Sequence, residues 1–488
     1  MKYLLFSIAV IILGCSSNSN TEIATENQTN NKKELTTADF NIDPIKGGPA
    51  DITIKVNGVP QNFTSKLIGF YFDQNFLADT CRIQNGMIKF KKDEGYFQGF
   101  YYVSLPNEKY IQLMLGDDQM FTIECDFNNI TRTMIVDGDE ENKLYYESAL
   151  FEEQMNPQLN AMSVRLKKYE KGSEDYERTK EQKLALDKKR SDYFKNILNK
   201  HPNSLFANFK FGGQNPELDE SLNEQMQVVK YRQDFWKNVN FGERRLLCTP
   251  MIINKLKRYI EVLTPQNPDS IISAADHLMN RVENYPEYYK AFSNWIVKKY
   301  EPTKTTLMDP EAVFVHMIQN YFTHEKALWA DSLTINTIQQ RAFEMAQSLV
   351  GKDAPNVIST DTKGNKKELL DMKAPYLVVY MFNPDCEHCQ EQTPKLIDYY
   401  KKMNGEIDVM AIAIETEEKL WKDYVKKTNM PFTSVFDPTN RSIYAKYYVD
   451  ITPELYVINP DRKIIGKNLK VFQIQTIIDR DKQERGVK

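Results

Sequence analysis

The sequence predicts a multidomain chain: an N-terminal all-β, sandwich-like domain, a central all-α domain and a C-terminal α/β domain. Three observations carry this. Short apolar runs separated by turn dipeptides fill residues 49–139, apolar residues recur at steps of three and four through 140–349, and strand-like and helix-like runs alternate over 350–488. A length of 488 residues, with 41% apolar and 27% charged side chains, suffices for roughly three ordinary cores. The net charge is −4 and no basic stripe stands out, which argues against a nucleic-acid partner.

Residues 1–15 stand apart from any fold. Met1-Lys2 gives a short positive start, Leu4 to Leu13 is an apolar run too short to span a bilayer, and Ile12-Leu13-Gly14-Cys15 closes it. That ending resembles a bacterial lipobox, which implies a cleaved signal and a lipidated Cys15; an ordinary secretory signal with a chance cysteine is the plainer alternative. More than one acyl chain on Cys15 would anchor the protein stably. The expectation is an exported protein, tethered to the membrane and facing the periplasm, where disulfides can exist. Ser16 and the lack of an early acidic run favour the outer membrane over the inner. Residues 16–48, rich in Ser, Thr, Asn, Lys and Glu, read as a disordered tether reaching on the order of 30 Å.

In 49–139, strand-like runs are expected at Ile52 to Val56, Leu67 to Phe72, Met87 to Phe90, Tyr101 to Leu105, Tyr110 to Leu115, Phe121 to Cys125 and Thr133 to Val136. Asn57-Gly58, Asn85-Gly86 and Gly116-Asp117-Asp118 supply turns. Cys81 and Cys125 fall in or beside strands and are left either paired or free. In 140–349, Met155, Leu159, Met162, Leu166 and Tyr169 mark one helix face, which reads as core. A charged helix runs over 180–199, and His201-Pro202-Asn203-Ser204 ends it and caps the next. Further helices are expected at 220–237, 250–263, 269–283, 286–300, 309–323 and 332–349. His277, His316 and His324 are scattered without metal-ligand spacing, so no chemistry is assigned there.

The chemistry-bearing stretch is Tyr376 to Leu396. Leu377 to Phe382 is a β-branched and aromatic run that reads as a buried strand; Asn383-Pro384-Asp385 stops it. Cys386-Glu387-His388-Cys389 follows, and Leu396, Tyr399, Tyr400 and Met403 show helical spacing. The first turn of a helix has unpaired N–H groups and the positive end of the dipole, both of which stabilise a thiolate. Zinc would need about four ligands, and no second C-x-x-C exists to supply them. A peroxidase would need a threonine three residues before the reactive cysteine, where Asn383 stands.

From about Gly351 to the end, the chain resembles the TlpA/ResA-like thiol-disulfide oxidoreductases of thioredoxin fold. The matching pieces are G-K-D-A-P-N-V at 351–357, Y-M-F-N-P-D-C-E-H-C at 380–389, Pro394, V-F-D-P at 435–438 and I-T-P-E-L-Y-V-I-N-P-D-R-K-I at 451–464. Two departures stand out: Gln392 takes the place of a frequent helix glutamate, with Glu391 beside it, and Asp385 takes that of the familiar tryptophan. The resemblance implies a central mixed sheet with helices on both faces, a cis-proline loop at Thr452-Pro453, Cys386 as nucleophile and Cys389 as resolving thiol. Glu387 and His388 would tune the pair in opposite directions. It implies no cofactor beyond the Cys386–Cys389 pair, protein thiols or disulfides as partners, and a membrane-bound thiol reductase as a further one. The β-rich and helical parts resemble modules of unknown function found in envelope lipoproteins of this kind. A rival reading makes the protein a binding or assembly lipoprotein, with residues 50–349 holding a partner and the C-terminal domain as a docking platform.

Overall fold

The computed structural model describes residues 44–219, 221–302, 304–305 and 307–486. The signal segment with Cys15, and the tether up to residue 43, lie outside the described residues. The chain divides into two compact units, Met1–Tyr259 and Ile260–Lys488. The division falls inside the stretch read as one helical region.

Among the described residues of the first unit, eight strands form two four-stranded sheets. The strands are β1 (Ala50–Asn57), β2 (Thr64–Tyr71), β3 (Gln74–Arg82), β4 (Met87–Lys92), β5 (Gly99–Ser104), β6 (Tyr110–Leu115), β7 (Gln119–Asp126) and β8 (Ile135–Asp137). Their orders are β4-β1-β7-β8 and β3-β2-β5-β6. Ile52, Ile54 and Val56 alternate inward from β1 to meet Leu67, Val103, Ile111 and Leu113 in one core, which is how a period-two pattern closes a sandwich. At the expected turn, Asn85 and Gly86 both take positive φ (49° and 76°), as a two-residue hairpin turn requires. Strand β3 escapes the sequence reading. It is an edge strand in which Phe76 alone is buried, so it lacks a clean alternation.

Helices α1 (Glu140–Leu166), α2 (Glu174–Lys200), α3 (Leu205–Gly212), α4 (Glu224–Asp234) and α5 (Pro250–Lys257) complete the unit. Met155 and Leu159 are buried as the stripe requires; Tyr169 is exposed and lies beyond the end of α1. Ser204 caps α3 by accepting the Ala207 N–H, at the place where the sequence put a stop and a cap.

The second unit opens with α6 (Pro268–Val282), α7 (Pro286–Lys299), α8 (Pro310–Tyr321) and α9 (Ser332–Met345). A small hairpin follows, β9 (Ile358–Thr360) with β10 (Lys366–Glu368), too short and polar to show in the sequence. Then come β11 (Tyr376–Phe382), α10 (Glu387–Lys402), β12 (Ile407–Ile414), α11 (Glu418–Lys427), β13 (Thr433–Asp437), α12 (Arg441–Tyr447), β14 (Glu454–Ile458), β15 (Ile464–Gly466) and α13 (Ile474–Glu484). The sheet order is β13-β12-β11-β14-β15. β11 runs parallel to β12 and antiparallel to β14.

All seven residues of β11 are buried, because both faces of the sheet are covered. Tyr376, Val378, Tyr380 and Phe382 join Leu396, Trp421 and Ile474 on one face. Leu377, Val379 and Met381 join Ile443, Tyr447 and Ile464 on the other.

Candidate active site

The redox stretch is built by an abrupt exit from β11. After Phe382, the Asn383 side chain accepts the Asp385 N–H at 2.9 Å and donates to the Glu415 carbonyl at 2.9 Å. Such an Asx turn stops the strand and aims the chain into α10. Cys386 is the N-cap of α10, and its sulfur accepts the Cys389 N–H at 3.2 Å. A cysteine thus takes the capping role usual for a serine or aspartate.

Cys386 is half-buried, whereas Cys389, one turn inside the helix, is fully buried. Both are free thiols. The loop before β14 contains a cis Thr452–Pro453 peptide. It places the Thr452 carbonyl 3.4 Å from the Cys386 sulfur, across 66 residues of chain.

The electrostatics separate the two thiols. Partial burial pushes the Cys386 thiol up, but hydrogen bonds from Cys389, the Thr452 side chain and the His388 backbone outweigh it and hold the thiol below its ordinary value. Burial pushes the Cys389 thiol up to about 12, and its contact with Cys386 adds to this. One sulfur is therefore prepared as a thiolate and its neighbour is kept protonated.

The structure brings Cys386, Cys389 and the Thr452–Pro453 loop together. Glu387 and His388 are exposed on the first turn of α10. The Gln392 side chain accepts the Val471 N–H at 3.4 Å, and Glu391 pairs with Lys395. His316 is paired with Asp276 at 2.6 Å, away from the thiol pair in sequence and in its contacts.

Sequence reasoning missed the support behind Cys389. The Tyr380 hydroxyl donates to the Cys389 carbonyl at 3.2 Å and contacts the Thr393 hydroxyl, which Tyr424 also reaches at 3.0 Å. It also missed Glu454, largely buried directly after the cis proline. The signal was available: a carboxylate opening an otherwise apolar strand run.

A capping thiol, a shielded second thiol one turn on, and a cis-proline loop facing the first define the class: thioredoxin-fold domains with a redox cysteine pair. Residues 350–467 match the AhpC/TSA family. The thiol-disulfide oxidoreductase ResA of Bacillus subtilis is 28% identical over 131 residues, covering 26% of this chain and 73% of that protein. A thioredoxin-like protein from Bacteroides caccae superposes with a TM-score of 0.46 at 16% identity, covering 55% of this chain and 98% of that one. The thioredoxin domain of a thiol-disulfide oxidoreductase from Bacteroides vulgatus gives a TM-score of 0.25 at 22% identity, over 27% of this chain and 96% of that one. The C-terminal domain of this chain is thus similar to the ResA-like thiol-disulfide oxidoreductases.

Proposed function

We propose that the chain is a lipid-anchored, periplasm-facing thiol-disulfide oxidoreductase of the outer membrane, held there through Cys15, that acts on protein disulfides through Cys386 and Cys389. The observation that carries the chemistry is the unequal pair: Cys386 half-buried and hydrogen-bonded as an N-cap, Cys389 buried and held protonated.

In the reductive direction the Cys386 thiolate attacks one sulfur of a substrate disulfide. The Cys386–S bond forms as the substrate S–S bond breaks, and the departing thiolate takes a proton. Cys389 then gives up its proton and attacks the Cys386 sulfur. The Cys386–Cys389 bond forms, the mixed disulfide breaks, and the substrate leaves as a dithiol. The pair has then lost two electrons, which a membrane-bound thiol reductase restores. Thr452 and Pro453 present backbone to the substrate strand beside Cys386.

Insulin reduction by the purified protein tests this. Cys386→Ser should abolish turnover and trapping, and Cys389→Ser should stop turnover while leaving long-lived adducts on Cys386. Turnover surviving in Cys386→Ser would sink the assignment. Labelled palmitate should enter the protein and be lost in Cys15→Ser; unchanged labelling would remove the anchor.

A further inference from the structure

The loop that faces Cys386 runs from Tyr448 to Glu454, and helices upstream of the family match hold it at both ends. On the entry side, Arg341 of α9 donates to the Tyr448 hydroxyl at 2.6 Å and lies 3.9 Å from the Asp450 carboxylate. The same guanidinium is braced by Glu301 at 3.1 Å and lies over the Phe314 ring of α8. Ser348, just past α9, donates to the Tyr447 carbonyl at 3.1 Å.

On the exit side, Glu311 in the first turn of α8 accepts two hydrogen bonds, at 3.1 and 3.0 Å, from the Asn468 side-chain amide. The backbone N–H of Asn468 donates in turn to Glu454, the residue after Pro453, at 3.2 Å. Lys467 sits in the same buried cluster, 3.5 Å from Glu311 and 3.9 Å from Asp309. Asp309 also accepts the Val350 N–H at 2.7 Å.

Lys467 is 1% exposed and Glu454 9%. Burying three carboxyl groups beside an ammonium is costly, and replacing such a group by apolar side chains is often neutral or stabilising. Stability alone is therefore a weak reason for the cluster. Its position gives a better one: it ends on the residue that follows the cis proline, while Arg341 ends on the residues that precede it.

We propose that α8 and α9 form a clamp that positions the Thr452–Pro453 loop against Cys386, with Arg341 holding the entry and the Glu311–Asn468–Glu454 relay holding the exit. Arg341, Glu311 and Asn468 are then positioning residues, acting through the Thr452 backbone on the substrate strand; the inference rests on the exchange reading above. It gives the helical segment next to the redox domain a task in the reaction, that of fixing how an extended disulfide-bearing substrate docks.

Amide hydrogen exchange and insulin kinetics on the full chain test the clamp, using Arg341→Ala, Arg341→Lys and Asn468→Gly. Glycine keeps the positive φ of 55° at position 468 without strain. The expected result is exchange at least tenfold faster over residues 449–454 in Arg341→Ala and Asn468→Gly, with Val378 to Phe382 unaffected. KM for insulin should rise about fivefold or more with the loss carried by KM, and Arg341→Lys should recover part of it. Exchange that is unchanged at the loop, or equally faster at the loop and in β11, overturns the clamp. Insulin left unreduced by the unsubstituted chain overturns the exchange reading instead, and the local exchange still decides whether the helices hold the loop.

Discussion

At the scale of single residues, the two cysteines differ through what touches each sulfur. Cys386 receives an N–H from the helix start, whereas at Cys389 burial and its neighbour outweigh the hydrogen bonds from the Asn383 backbone and the Thr452 side chain. Iodoacetamide near pH 7 should therefore modify Cys386 at least tenfold faster than Cys389, read by peptide mapping of the reduced protein. Preferential modification of Cys389 would reverse the two roles. Two upstream thiols should stay inert in the same experiment, because burial pushes both Cys125 and Cys248 up to about 12. The C-x-x-C and its strand-to-helix position were legible in the sequence, since chain order alone puts Cys386 at the helix start. The Thr452 contact was not derivable from local pattern: it joins residues 66 apart, and only the family resemblance pointed to it. The Tyr380–Thr393–Tyr424 hydroxyl chain was illegible for a related reason. Aromatic residues in an apolar run read as core, and their hydroxyl partners are set by tertiary packing.

At the scale of elements, legibility followed burial. β11 showed as an apolar run because both its faces are covered, whereas β3, β9 and β10 lie at edges or in a small hairpin and left no periodic trace. Leu396 on α10 packs fully buried against β11, so Leu396→Ala should cost about 2–5 kcal/mol in a urea melt. A smaller loss would mean that the site collapses around the cavity. β14 opens on a carboxyl that burial pushes up to about 8, with Lys467 pulling it down and Glu311 and Asp450 pushing it further up. A folded value above the unfolded one means that this group's contribution is fully present below about pH 4 and lost as pH rises through about 8. The slope approaches about 1.4 kcal/mol per pH unit for one proton. Asp309, raised by burial to about 6, acts in the same direction. Glu454→Gln should therefore flatten the fall in stability between pH 5 and 9. An unaltered slope in that variant would show that Glu454 is ionised throughout.

At the scale of the molecule, the family match begins at residue 350, but the second compact unit begins at Ile260. The sequence correctly showed β-rich, helical and α/β regions in order. It could not show that the helices divide between two units, because amphipathic periodicity says which face is buried and not against what. A fragment starting at residue 350 would lack Asp309, Glu311 and Arg341, leaving Lys467 without the carboxylates of Asp309 and Glu311 and the Asn468 side chain without Glu311. Breaking such a buried pair costs about 3–5 kcal/mol. A fragment over 264–488 should thus melt at a higher temperature and reduce insulin with a lower KM than one over 350–488. Equal melting and equal KM would show that the shorter piece is self-sufficient.

The alternation along β11 has a further consequence. Its odd and even residues belong to two cores that do not share side chains, so the strand works as a partition wall. One compartment contains Cys389 and the hydroxyl chain behind it, and tolerates little change in volume or polarity. The other contains Leu377, Val379 and Met381 against Ile443 and Tyr447, where hydrophobic residues can be exchanged at conserved volume. Sequence drift can thus accumulate behind the wall while the room that holds the sulfurs keeps its shape, and a designer wanting a hardier version of this domain would begin on that far side.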